Sequence, residues 1–264
     1  MPNNTSTSTK DNWKRFADID YFSMFIKAYI PFNAWMNLDY AALATDRAKI
    51  NEIKRKPNLF HNKIVALLQD NGQDSAAFRV HIGELHVALE QAQIFNQDRR
   101  VSFTCICFKN DNPPTCNKSF RGIKYHVHCG NATNNSTETI LEIKNRKGVK
   151  IFSHVFKEYE YDIETVGRAL VSLKQSWKDE LIGCYKSVAP LSRETLLDNN
   201  TSSEAIICGE IRFISDIEKV THGLIEILFN LRNALLHGEI NPNGDANKVY
   251  GAAYHILRSV IECL

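Results

Sequence analysis

A change of hydrophobic period along the chain limits the fold more than any other feature. Over 13–35 the apolar residues Phe16, Ile19, Phe22, Phe25, Ile26, Tyr29, Ile30 and Phe32 recur three to four positions apart, the spacing of one helix face. This predicts a long first helix, with Pro31 expected to kink it. Similar spacing predicts helices over 41–54, 62–68 and 76–95, the last preceded by the cap residues Asp74 and Ser75. At Arg99 the pattern switches to short β-rich runs at 101–108, 123–129, 139–144 and 149–156, divided by Pro, Gly and Asn clusters. Helical spacing returns over 163–188, a connector follows at 190–203, and Ile211, Ile214, Ile217, Val220, Leu224, Leu228, Leu231 and Leu235 then mark one side of a long helix. Gly238 and the turn at 241–245 end it, and a last helix is expected over 248–263. The expectation is a mainly α fold, a helical bundle with an inserted β-hairpin-rich segment, α+β overall. Its parts are a disordered tail at 1–11, N-terminal helices at 12–98, a β-rich insertion at 99–160 and C-terminal helices at 161–264.

Composition narrows the function classes. A hydrophobic content of 44% over 264 residues is enough for a continuous core. Lys and Arg outnumber Asp and Glu by only two, 32 against 30, so nucleic-acid contact requires a local patch. The polar start, from Met1 to Lys10, lacks the apolar run of a signal peptide, and no stretch approaches the roughly 20 apolar residues of a membrane span. Seven cysteines, an odd number, fit reduced thiols better than a disulfide framework. A cytoplasmic protein is expected. Neither a Gly-rich phosphate loop nor a Gly-x-Ser-x-Gly elbow occurs, which argues against nucleotide hydrolases and esterases.

The segment Phe229-Asn-Leu-Arg-Asn-Ala-Leu-Leu-His-Gly-Glu239 sits where the apolar-striped helix ends. Four other Arg-to-His pairs have comparable spacing: Arg121 with His126 or His128, Arg55 with His61, and Arg79 with His86. Only Arg232 combines an adjacent Asn, an apolar spacer, a helix end and a following helix. On these residues the chain resembles the HEPN superfamily, helical bundles whose nuclease members carry Arg, a polar residue and, a few apolar residues later, His. The opening segment from Tyr21 to Trp35 is similar to the first helix of larger HEPN proteins.

The resemblance implies an HEPN-like bundle and a metal-independent endoribonuclease, a toxin or anti-phage defence effector, with no cofactor. It implies RNA as substrate, a homodimer, and control by an antitoxin or sensor protein. Arg232 and His237 are the implied catalytic residues, the imidazole as general acid or base and the guanidinium as phosphate and transition-state stabiliser. At about 100° per residue, Asn233 and His237 share a helix face, while Arg232 is offset from His237 by roughly 140°. Asn233 and Glu226 are supporting candidates, although both also read as solvated helix residues. The alternative is a non-catalytic HEPN-like module that binds RNA, a nucleotide or a partner protein. Arg and His in a last helical turn also suit the helix dipole without any catalytic role.

Two further groups fall in the β-rich segment. Lys144, Arg146, Lys147 and Lys150, with Phe152 and Phe156 close by, could guide RNA or could protect a strand edge against aggregation. Cys105, Cys107, Cys116 and Cys129, with His126 and His128, offer zinc-type ligands. Their spacing lacks the usual two-residue gaps, and period-two cysteines in strands are often small core residues.

Overall fold

The computed structural model describes residues 20–97, 99–130, 138–199 and 203–264. The tail at 1–11 and the start of the predicted first helix, 13–19, lie outside the described residues. Two compact units emerge, one formed by 1–106 with 195–264, the other by Cys107–Glu194.

The first unit contains α1 (Tyr21–Asp39), α2 (Asp46–Arg55), α3 (Leu59–Gln69), α4 (Gln73–Ala92), α7 (Ile217–Leu236) and α8 (Gly244–Ile261). Several starts are written locally: the side chains of Asp20, Thr45, Asn58, Asp216 and Asn243 each accept a backbone N–H of the first turn. Helix α4 begins after Gly72, ahead of the expected Asp74 and Ser75. Pro31 lies inside α1, which runs on to Asp39. Packing centres on aromatic contacts between α1 and α8, with Phe22 and Phe25 at 4.9 and 5.3 Å from Tyr250. The Tyr250 hydroxyl, buried with its ring, donates to the Leu231 carbonyl at 2.8 Å and so ties α8 to α7.

This unit also carries β1 (Phe95–Asn96) with β2 (Arg99–Arg100), and β9 (Ile206–Cys208) with β10 (Ile211–Phe213). Gly209, at φ 62, supplies the positive φ that a II′ loop requires at its first central residue. The hairpin docks against α4 at Gly83, where a Cβ would collide with the Cys208 carbonyl.

In the second unit β4 (Thr115–Phe120), β5 (Ile123–Cys129), β6 (Thr139–Lys144) and β7 (Lys150–Phe156) form an antiparallel meander. Helices α5 (Ile163–Ala169) and α6 (Gln175–Ser187) cover one face. Alternation sends Tyr125, Val127, Cys129, Leu141 and Ile143 inward, against Val166, Leu170, Leu181, Cys184 and Tyr185. The remaining strands, β3 (Ile106–Lys109) and β8 (Leu191–Glu194), pair where the chain enters and leaves this unit.

The mainly α expectation is therefore corrected to α+β: 50% of the described residues are helix and 19% strand, in several sheets. Ile211 belongs to a strand and Ile214 precedes α7, since Asp216 caps the helix and the Gly209 turn pairs the upstream residues. The run at 115–120, too polar to read as a strand, is held as β4 by its ladder to β5. Part of the expected connector at 190–203 is β8. The helical spacing over 163–188 resolves into α5 and α6, both within the second unit. Among the described residues no helix is long and apolar enough to cross a membrane.

Candidate functional site

The Arg-to-His segment closes α7. His237 is its C-cap, and its backbone N–H donates to the Asn233 carbonyl at 2.9 Å. Gly238, at φ 68, donates to the Leu235 carbonyl at 3.2 Å and Glu239 to the Ala234 carbonyl at 3.0 Å. This is a Schellman ending, which satisfies the last carbonyls and leaves the His237 side chain exposed. Arg232 is half-buried. Its Nη1 donates to Asn233 Oδ1 at 2.9 Å, its Nη2 lies 3.3 Å from Asp46 Oδ2, and the guanidinium stands 5.9 Å over the Tyr29 ring. Tyr29 is buried, its hydroxyl has no hydrogen-bond partner among the described residues, and burial raises its pKa well above the ordinary tyrosine value.

Glu226, six positions earlier, faces α2. Its carboxylate accepts from Lys54 Nζ at 2.6 Å, from Arg47 Nη1 at 2.8 and 2.9 Å, and from Asn230 Nδ2 at 3.2 Å. Burial works against its charge, but the charges of Lys54 and Arg47 prevail and hold its pKa at about 2. Glu226 is thus an anion at neutral pH and joins α2 to α7. Asp46, Arg47, Lys54 and Tyr29 complete this polar ridge and carry no motif of their own. Only the packing of α1 and α2 against α7 brings them to residues some two hundred positions later in the chain.

The competing Arg-to-His pairs have structural roles. Arg79 donates to the carbonyls of Leu67, Leu68 and Asp70 at the C-terminal end of α3, and His86 is buried between Phe103 and Phe213. Arg55 pairs with Glu52, and buried His61 lies 3.0 Å from Glu218. Arg121 occupies a turn at φ 49.

A cavity of about 680 Å³ in the same unit lies between α4 and α8, away from the motif. Tyr21, His81, Glu84, Lys248 and His255 line it, with the His81 and His255 rings stacked at 4.8 Å. His81 Nδ1 lies 2.8 Å from Glu84, and the pKa of His255 is lowered, first by burial and then by His81. No spacing in the sequence pointed to this pair.

The zinc-type set comes apart by alternation. Cys129 faces the core beside Thr139, Cys116 pairs with the buried Cys184 thiol, and His126 and His128 point to the opposite face. Cys105 is exposed, and among the described residues no three His, Cys, Asp or Glu side chains gather as a metal site. Phe152 and Phe156 pack onto the core of the second unit, with Phe156 at 6.1 Å from Tyr185, so they are not free to stack on RNA. Lys144 and Lys150 both reach Glu142, the first at 2.8 Å. No family model, curated protein or solved structure matches the chain.

Proposed function

We propose that the chain is a cytoplasmic, metal-independent endoribonuclease of HEPN type, with His237 as general acid or base and Arg232 as the phosphate-binding group. The observation that carries this reading is the Schellman ending of α7. It leaves an exposed imidazole one helical turn from Asn233, which is itself bonded to Arg232. Attack of a ribose 2′-hydroxyl on phosphorus, with cleavage of the bond to the 5′-oxygen, yields a 2′,3′-cyclic phosphate and a free 5′-hydroxyl. One group must take the 2′ proton and another must protonate the leaving oxygen. A single His237 cannot be in both states at once, so the reading includes a second copy of the chain that brings its own His237 to the same phosphate. Guanidinium charge at Arg232 would stabilise the developing negative charge.

Structured RNA incubated with the purified protein in EDTA should be cut to products with cyclic phosphate ends. His237→Ala and Arg232→Ala should each slow cleavage by about 100-fold or more, the usual scale for losing an acid–base or electrostatic group. Equal cutting by the variants, or no cutting by the wild type, overturns the reading.

A second reading, a non-catalytic module that retains RNA or a nucleotide, draws on a different observation. The Arg232 guanidinium is already engaged by Asp46 and Asn233, and Glu226 by Lys54 and Arg47. It expects retention without turnover and equal retention by His237→Ala.

A further inference from the structure

The face of the four-stranded sheet opposite α5 and α6 is organised in rows by the strand register. Lys124 pairs with Lys144, and Lys144 with Lys150, so three lysines stand side by side across β5, β6 and β7. Like charges directly opposite one another destabilise a sheet. One carboxylate moderates this row. Glu142, in the next row, reaches Lys144 and Lys150, and those two bonds hold its pKa at about 2. At the same end of the sheet the β4–β5 turn carries Arg121, whose guanidinium lies 5.1 Å over the exposed Phe120 ring. The β6–β7 turn carries Arg146 and Lys147. Gly122 lets the two turns meet: a Cβ there would fall on the Arg146 side chain.

Beyond the lysines the face is mixed: the next row is His126, Glu142 and Ser153, and the one after it sets Ile140 and the exposed Val155 beside His128. His126 is bonded to Asn117 at 2.7 Å and His128 to Thr115 at 2.9 Å. The cations therefore form a track about three strands wide, with strands about 4.8 Å apart, bordered by the row of Asn117, His126, Glu142 and Ser153.

We propose that this sheet face is a binding surface for single-stranded RNA. The lysine row and the turn cations contact backbone phosphates, and His126 and His128, successive on that face of β5, meet the bases. The inference goes beyond the nuclease reading, because it concerns the second unit alone and holds or fails independently of Arg232 and His237. A bilayer is the less suitable occupant: it would desolvate the Asn117–His126 and Thr115–His128 pairs and offer them nothing in return.

The test is fluorescence anisotropy of the full chain with a labelled 12-nucleotide 2′-O-methyl oligouridine, which has no free 2′-hydroxyl to cleave. With three to five phosphate contacts at about 0.7 each, log K should fall against log [KCl] with a slope of about −2 to −3.5. The triple variant K124Q/K144Q/K150Q should flatten the slope by about 2 and weaken binding at least tenfold at about 100 mM KCl. Glu142→Gln should tighten binding, because it releases two lysines from their counter-charge. Arg232→Ala should bind as the wild type does, whether or not it cuts RNA. The proposal is overturned by absence of wild-type binding, by an unchanged triple variant, or by weaker binding of Glu142→Gln. It is also overturned if vesicles of phosphatidylcholine with 30% phosphatidylserine, about the charge of an anionic leaflet, capture the wild type but the oligomer does not.

Discussion

Replacing Glu226 by Gln removes the carboxylate on which α2 and α7 converge. Its pKa, about 2 in the fold against an ordinary 4.5, corresponds at about 1.4 kcal/mol per factor of ten to about 3 kcal/mol in favour of the folded state. Because the folded pKa is the lower one, this contribution is complete above about pH 4.5 and drains away as pH falls toward about 2. Most of it belongs to Lys54, whose side chain is only 7% exposed. Arg47, at 45%, is screened by solvent. In urea melts at pH 7, Glu226→Gln should lose about 3 kcal/mol and lower Tm by about 6–12 °C. The gap to wild type should close as the pH is taken down to about 2. Lys54→Met alone should also destabilise, by about 3–5 kcal/mol, since it leaves a mostly buried anion with only its more exposed partner. The double variant should recover most of the loss, because an uncharged pair of similar volume can replace a buried ion pair at little net cost. A loss below about 1 kcal/mol at pH 7, a gap that does not change with pH, or a double variant as unstable as the sum of the singles would refute this account.

Smaller predictions come from both units. Gly83→Ala should destabilise by about 2 kcal/mol or more, because its Cβ meets the Cys208 backbone carbonyl. Gly183→Ala in α6, with open space around it, should stabilise by about 0.5–1 kcal/mol; thermal melts of the two variants check both signs. In an NMR titration the His255 imidazole should have its midpoint below 6.5. Glu84→Gln should lower it further and His81→Phe should raise it, following the direction in which each neighbour acts.

Helix placement was legible wherever the signal was local. The apolar stripe of α7 ran true from Ile217 to Leu235, whereas the starts were less plain: Asp20, Thr45, Asn58 and Asn243 cap helices for which the spacing singled out no cap, and Asp74 and Ser75, which it did single out, lie inside α4. The β6–β7 hairpin was equally plain, because the alternation of β6 and the turn at Asn145 agree. The reading failed where a neighbour decided the outcome. Ile211 and Ile214 continue the period of α7, yet the pairing of Ile211 with Cys208 takes the first into a sheet. Thr115 to Phe120 has little apolar alternation and becomes a strand by adding to β5. Phe152 and Phe156, close to basic residues in sequence, turn to the opposite face of the sheet, because successive side chains in a strand alternate.

The candidate site divides in the same way. Arg232, Asn233, His237 and Gly238 lie within two turns of each other, so the sequence by itself determined that they share the end of a helix and that the His237 side chain stands beside its stop. Which charges they meet was decided only by the tertiary structure. Asp46 reaches Arg232, and Lys54 and Arg47 reach Glu226, across long stretches of intervening chain; His81 stacks on His255 in the same manner. The physical reason is range: caps, turns and helical period act over about four residues and can be read along the chain. An ion pair or a cross-strand row of lysines exists only after hydrophobic packing and strand register have set its partners a few ångströms apart.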